Sequence, residues 1–128
     1  MADTATQVEL PTTPPQILGP FYPFMHTPVQ GGDLTNGGKA AGTVLYLSGR
    51  VLNKAGEPVP GVEIEIWQCN AHGRYAHPND ETDPPLDPNF AGFAVTRTDA
   101  QGRYAFKTVR PRAYQVVPGR WQIGRAHV

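Results

Sequence analysis

The sequence predicts an all-β protein built as an antiparallel β-sandwich. Short runs rich in β-branched and aromatic residues recur along the chain, with turn-forming residues between them. The chain contains 14 Gly and 14 Pro, mostly at turn-like positions rather than in one tract. No stretch shows a sustained helical period of apolar residues. Several short strands joined by turns are typical of a sandwich.

The first part of the chain, 1–43, predicts an irregular N-terminal arm. It is polar and rich in Pro, Gly and Thr, so we expect little regular structure of its own. One apolar string, ILGPFYPF at 17–24, lies inside this arm. Such a string favours packing on the core or on a partner subunit, which makes a homo-oligomer plausible.

The second part, 44–128, is predicted to be the β-sandwich domain. In the run 62–67 the apolar and polar residues alternate, so that Val62, Ile64 and Ile66 share one face. Glu63 and Glu65 are then interpreted as a solvated face. Turns are expected at 53–58 and 99–102, where Gly, Asn, Asp and Pro cluster. The predicted strands are 44–52, 62–67, 93–98, 104–109 and 114–117.

A long loop is expected between the second and third predicted strands, from Asn70 to Ala91. Loops longer than about 12–15 residues in compact domains are usually functional or disordered. This loop carries Tyr75, His77 and Asp80, which favours a functional interpretation.

Composition excludes several classes of function. The formal net charge is +0, and no basic stripe indicates nucleic-acid binding. No apolar run approaches the roughly 20 residues needed to span a membrane, and the N-terminus lacks the pattern of a signal peptide. A single cysteine, Cys69, excludes an internal disulfide and is compatible with a reducing compartment. We therefore expect a cytoplasmic protein.

Three segments resemble the intradiol ring-cleavage dioxygenases, which include protocatechuate 3,4-dioxygenases and catechol 1,2-dioxygenases. They are VEIEIWQCNAHGRY at 62–75, LDPNF at 86–90, and TDAQGRYAFKTVRP at 98–111, which leads to Tyr114. GPFY at 19–22 resembles the arm of the protocatechuate-type branch. The resemblance covers about 17–114, and it implies a prealbumin-like sandwich.

The resemblance implies one non-haem Fe(III), held in this family by two tyrosines and two histidines. Tyr75 matches the equatorial tyrosine, and Tyr114 matches the axial tyrosine that substrate displaces. Phenolate is a hard anionic donor that suits Fe(III). Tyr114 is also the implied catalytic base toward the substrate hydroxyl. His127 matches the first histidine.

The same resemblance implies residues of the substrate site. Trp67 matches a pocket wall, and Gly19 and Pro20 match an arm that lines the substrate in protocatechuate-type enzymes. The implied reaction cleaves a catechol-type diol with O2 to a muconate-type diacid, as in aromatic compound catabolism. The alternative is a non-catalytic prealbumin-like or carboxypeptidase-regulatory-like binding domain, because those sandwiches share the DxxGxYxF pattern. A structural interaction module has only the apolar arm in its favour.

The last residues depart from the family pattern. An Arg-Pro-x-His-x-His segment follows the second tyrosine in the family, whereas 124–128 resembles only its beginning. IGRAHV at 123–128 is also the translation of ATCGGAAGAGCACACGTC, part of a common sequencing adapter. We hypothesise that 123–128 is not native and that the domain is truncated. The polypeptide alone is then expected to be unstable and without turnover.

Other chemistry-bearing residues have plainer interpretations. Tyr104 follows a turn within a strand and is interpreted as a core residue. The remaining candidates are interpreted as polar loop groups (His77 and Asp80), surface histidines (His26 and His72) and a small buried hydrophobe (Cys69).

Overall fold

The chain folds into eight β-strands and no helix over 8–117, 119–124 and 126–128, the residues that the computed structural model describes. The prediction of an all-β protein is confirmed. Each of the five predicted strands corresponds to an observed one. The strands are β1 (Val29–Gln30), β2 (Val44–Arg50), β3 (Glu63–Gln68), β4 (Phe93–Arg97), β5 (Arg103–Val109), β6 (Tyr114–Val117), β7 (Arg120–Gln122) and β8 (Ala126–His127).

The strands form three open sheets. The largest has the order β1-β4-β3-β8, β2 pairs with β5, and β6 pairs with β7. All pairs of named strands are antiparallel except β1 with β4. Three strands were not predicted from the sequence, namely β1, β7 and β8, and each has only two or three residues.

The main core lies between the four-stranded sheet and the β2–β5 pair. Ile66 and Ala94 come from the first sheet, and Phe106 and Val109 come from β5, all with 1% or less of their surface exposed. The period of two along β5 directs Phe106 inward and leaves Arg103 exposed. Two facing sheets with a shared apolar interior are the sandwich arrangement.

The predicted arm adds to this core. Leu34 is fully buried in the main cluster, and its N–H donates to the Lys107 carbonyl at 2.9 Å. β1 pairs with β4 through Val29 opposite Ala94. Within the described part of the arm, 8–43, the named strand is β1, and β4 supplies its hydrogen-bonding partners.

The apolar string of the arm is only partly buried. Phe21 is 4% exposed, whereas Ile17 is 90% and Phe24 is 73% exposed. Tyr22 is half-buried, and its hydroxyl donates to Glu65 Oε2 at 2.8 Å. Glu65 is therefore a partner of the arm, and its interpretation as part of a purely solvated face was wrong.

The predicted turns are confirmed. Asp99 Oδ1 accepts the N–H groups of Gln101 and Arg103, both at 2.9 Å, and Gly102 takes a φ of 73°. The hydrogen bond from the Arg103 N–H is the main reason that the pKa of Asp99 is lowered. This short turn carries the chain from β4 in the four-stranded sheet to β5 in the facing β2–β5 pair.

A candidate metal centre of two tyrosines and a histidine

A second buried cluster lies beside the main core and contains both candidate tyrosine ligands. Tyr75 is 3% exposed and Tyr114 is 6% exposed. Trp67, Cys69 and Phe21 complete the cluster. The ring centroids of Tyr75 and Tyr114 are 5.0 Å apart, and their planes meet at 85°. The two phenols are thus neighbours although 39 positions separate them along the chain.

Hydrogen bonds within the long loop hold Tyr75 in place. Asp80 Oδ2 accepts the Tyr75 N–H at 2.7 Å, and the Asp80 side chain is 1% exposed. Asn70 Oδ1 accepts the N–H groups of His72 and Arg74 at 2.9 and 3.0 Å. Arg74 also donates to the Thr82 and Pro84 carbonyls and lies 3.7 Å from Asp80 Oδ1. This part of the loop takes its shape because its short polar side chains accept hydrogen bonds from nearby backbone N–H groups.

Tyr114 is the first residue of β6 and belongs to the same buried cluster. The segment before it contacts the Tyr75 loop directly, since a side chain at Gly73 would lie 2.5 Å from the Ala113 carbonyl oxygen. Gly73 also takes a φ of 84°, a conformation that favours glycine. The Asn70 carbonyl accepts the Arg112 N–H at 3.5 Å. Glycine is needed where these two segments cross, because a Cβ there would force the backbone next to Tyr114 to shift.

His127 lies in β8 at the edge of the main sheet. It is paired opposite Trp67, and the two rings are stacked with centroids 5.1 Å apart and planes 5° apart. Its Nε2 lies 3.2 Å from the Tyr75 hydroxyl oxygen. The structure therefore places His127 beside Tyr75, which in turn packs against Tyr114.

The donor set fits a ferric ion. The Tyr75 phenol oxygen lies 3.2 Å from an imidazole nitrogen of His127, and the Tyr114 ring packs edge to face on the Tyr75 ring. Oxygen and imidazole donors both bind iron. Over 8–117, 119–124 and 126–128 no group of three or more His, Cys, Asp or Glu side chains could hold a metal ion. Within those residues, the phenol-containing cluster is the arrangement whose chemistry suits a metal.

A cavity of about 260 Å³ borders this cluster. Trp67, Tyr75, Phe21 and His77 are among its lining residues. The indole Nε1 of Trp67 is buried without a hydrogen-bond partner in the described structure, although a buried indole N–H usually has one. A polar atom of a ligand in the cavity is one group that could accept a hydrogen bond from this indole N–H.

The two other predicted substrate residues lie outside the cavity lining. Gly19 and Pro20 are exposed, and the Pro20 carbonyl accepts from Asn79 Nδ2 at 2.9 Å. Their role stays a prediction. The arm residue that contacts the phenols is Phe21, which the sequence reasoning did not single out. Its place in the GPFY motif was the available signal.

Apart from His72, the other candidates lie where their plainer interpretations place them. His77 is a loop residue whose Nε2 lies 3.1 Å from the Tyr22 carbonyl, and His26 is exposed. His72 is half-buried rather than a free surface group. Tyr104 is partly buried against the main core. Burial raises the pKa of the Cys69 thiol to about 12, so that this residue is a neutral, buried group.

Comparison with known proteins decides the family. A family model described as Dioxygenase, Dioxygenase_C, matches residues 17–125. The chain belongs to the intradiol ring-cleavage dioxygenase family. It is 45% identical over 92 residues to the protocatechuate 3,4-dioxygenase beta chain of Burkholderia cepacia. It is 33% identical over 102 residues to the catechol 1,2-dioxygenase of Candida albicans.

The fold is also that of solved intradiol dioxygenases. The catechol 1,2-dioxygenase of Pseudomonas arvilla C-1 has a TM-score of 0.62 and 30% identity, with 80% of this chain and 32% of that one covered. The 3-chlorocatechol 1,2-dioxygenase of Rhodococcus opacus 1CP has a TM-score of 0.71 over 96% of this chain and 51% of that one. Its 21% identity supports the fold alone.

This member of the intradiol family spans less than half the length of the curated relatives that it matches. The match covers 70% of this chain but 39% of the Burkholderia cepacia protein, and 78% of this chain but 32% of the Candida albicans protein. No helix among the described residues is long and apolar enough to cross a membrane. The family match favours a dioxygenase over a generic binding sandwich.

Proposed function

We propose that this chain provides the tyrosine side of a non-haem Fe(III) centre in an intradiol dioxygenase. Such an enzyme cleaves a catechol-type diol with O2 to a muconate-type diacid. One observation carries the proposal: Tyr75 lies 3.2 Å from His127 Nε2 and has its ring centroid 5.0 Å from that of Tyr114, in a buried cluster. A generic binding sandwich has no need of this arrangement.

Tyr75, Tyr114 and His127 are the residues that would hold the iron. When bound, Fe(III) supplies the Lewis acidity and electron-accepting capacity that make a catecholate reactive toward O2. Both tyrosines are buried, so that water would screen the attraction between a phenolate and a bound cation only weakly. The chain itself fixes their positions through the loop contacts of Asp80 and Gly73.

Tyr114 is the proposed base. As a phenolate, it can accept a proton from a catechol hydroxyl at its phenol oxygen. The family resemblance, in which Tyr114 matches the tyrosine that substrate displaces, is what supports Tyr114 rather than Tyr75 in this role.

The aromatic cavity beside Tyr75 is the proposed entry to the substrate site. Its volume of about 260 Å³ suits a small ligand of one ring, and Trp67 supplies a flat apolar wall. We favour the protocatechuate-type branch, because the GPFY arm is present and the identity to the Burkholderia cepacia protocatechuate 3,4-dioxygenase beta chain is 45%. Gly19 and Pro20 are proposed to act at the outer end of this site.

Iron binding and colour test the proposal. The purified chain is loaded with iron, and the bound metal and the visible absorption are measured. Phenolate donors should produce a charge-transfer band in the wild type, which Tyr75→Phe and Tyr114→Phe should each weaken. Tyr46→Phe is the matched control, since Tyr46 is 76% exposed on β2. A wild type that binds no iron, or a band that neither variant changes, would overturn the proposal.

Oxygen uptake with catechol and with protocatechuate is the second readout. The resemblance implies four protein donors, whereas the cluster contains three. We therefore expect iron binding by this chain without turnover, and turnover from a polypeptide that supplies a fourth donor.

A further inference from the structure

Phe21 is buried in an arm whose other large apolar residues are mostly exposed. It is 4% exposed, whereas Met25 and Ile17 are 92% and 90% exposed. Burial of Phe21 in a segment whose large side chains are mostly exposed indicates a specific contact rather than general collapse of the arm. Neither the family resemblance nor the comparisons assign a role to this side chain.

Phe21 contacts both candidate tyrosine ligands. Its ring is stacked on that of Tyr75, with centroids 4.3 Å apart and planes 24° apart. It meets the ring of Tyr114 edge to face, with centroids 6.1 Å apart and planes 74° apart. These are the two arrangements that aromatic quadrupoles prefer. Because the two phenol rings also meet at 85°, one phenylalanine can satisfy both geometries at once.

Three hydrogen bonds fix the arm on either side of Phe21. Asn79 Nδ2 donates to the Pro20 carbonyl at 2.9 Å, and His77 Nε2 lies 3.1 Å from the Tyr22 carbonyl. The Tyr22 hydroxyl donates to Glu65 Oε2 at 2.8 Å. Both flanking residues are therefore anchored, which prevents Phe21 from leaving the phenols unless the arm detaches.

We propose that Phe21 is a positioning residue that sets the angle between the Tyr75 and Tyr114 rings and thereby the geometry of their phenol oxygens. The inference rests on the proposed function, because it concerns the same donor set. Its consequence is that docking of the arm and metal affinity are coupled: a detached arm leaves Tyr75 without its stacking partner. An aromatic contact of this kind changes an equilibrium constant by about 2- to 10-fold.

The test replaces Phe21 and reads the metal site spectroscopically. Phe21→Leu and Phe21→Met fill similar space without a planar ring, and Phe21→Tyr keeps the ring. Phe24→Leu is the matched control, since Phe24 is in the same arm, 73% exposed and edge to face with Tyr22 rather than with the phenols. Each protein is titrated with iron, the charge-transfer maximum is recorded, and far-UV circular dichroism checks folding.

We expect Phe21→Leu and Phe21→Met to shift the charge-transfer maximum and to weaken iron binding about 2- to 10-fold. Phe21→Tyr should restore both, and Phe24→Leu should match the wild type. In the iron-free protein the near-UV circular dichroism of the tyrosines should change in the same two variants. The inference is overturned if both ringless variants keep the wild-type band, iron affinity and near-UV spectrum, or if Phe24→Leu changes them equally.

If the proposed function itself is wrong, the same measurements give a different result. In that case the wild type itself shows no charge-transfer band, whereas the near-UV spectra still report whether Phe21 orders the two tyrosines. A wild type that shows the band, together with Phe21→Leu and Phe21→Met variants that keep its band, iron affinity and near-UV spectrum, refutes this inference alone.

Discussion

The Tyr75 hydroxyl oxygen and His127 Nε2 are 3.2 Å apart, although 52 positions separate the two residues along the chain. Two independent elements create this contact. The long loop holds Tyr75 through its backbone, and the pairing of β8 with β3 places His127 opposite Trp67. A polar contact made by such distant segments ties the edge strand to the loop and contributes to stability before any metal is considered.

Removal of the Tyr75 hydroxyl should therefore destabilise the metal-free protein. We expect Tyr75→Phe to lower the free energy of unfolding in urea by about 0.5–1.5 kcal/mol, the usual net value of one hydrogen bond. A double-mutant cycle with His127→Ala isolates the pair, because each residue has other neighbours. Purely additive effects would show that the two side chains do not interact. Tyr46→Phe, on the exposed part of β2, should stay within about 0.5 kcal/mol of the wild type.

The crossing of the Tyr75 loop and the Tyr114 segment depends on Gly73. Gly73→Ala places a methyl group 2.5 Å from the Ala113 carbonyl oxygen and also strains a residue with a φ of 84°. We expect a marked loss of stability and a weaker charge-transfer band, because the backbone that carries Tyr114 must shift. The measurements are urea unfolding and iron titration.

Gly61→Ala is the matched control for this prediction. Gly61 has a φ of 73°, but nothing lies within 4 Å of an added side chain. The Gly61→Ala substitution therefore has only the conformational cost of a non-glycine residue at positive φ, which is about 1–2 kcal/mol. Equal losses in the two variants would mean that the contact with Ala113 adds nothing, and that the tyrosine segments do not depend on it.

The sequence was informative where local pattern and tertiary environment agree. Alternating residues located β3 and β5, and the NAHGRY motif located Tyr75. The strands that it missed, β1, β7 and β8, have two or three residues each, too few to show a period. Their existence depends on partners elsewhere, as when β4 supplies the partner for Val29.

The contacts of the arm could not be predicted for the same reason. The apolar string at 17–24 indicated packing, but composition does not distinguish Phe21, which is buried, from Phe24, which is exposed. Glu65 shows the converse error. Its alternation within β3 predicted a solvated side chain, and only the position of Tyr22 makes it a hydrogen-bond acceptor.

Asp80 is expected to be essential for the position of Tyr75. Its buried carboxylate accepts the N–H groups of Tyr75 at 2.7 Å and Thr82 at 3.0 Å. Asp80→Ala leaves these donors without acceptors, which costs about 1–3 kcal/mol in unfolding free energy. It should also weaken the iron charge-transfer band. Asp83→Ala, an exposed carboxylate in the same loop, is the control and should change neither quantity. Wild-type stability and colour in Asp80→Ala would refute the role.

Cys69 provides a pH-dependent prediction. It is fully buried, its Sγ donates to the Arg112 carbonyl at 3.2 Å, and burial raises the pKa of its thiol to about 12 from the ordinary 9.0. Because the folded state keeps the proton that the unfolded state loses, the contribution of this thiol to stability is complete below about pH 9 and declines as pH rises toward about 12. Cys69→Ala should flatten that decline in urea unfolding measured from pH 8 to pH 10.5.

In the wild type at pH 8.5, iodoacetamide should alkylate the Cys69 thiol only after urea unfolds the protein, since the thiolate is the nucleophile. Rapid alkylation of the folded protein would show that Cys69 is accessible and ionised.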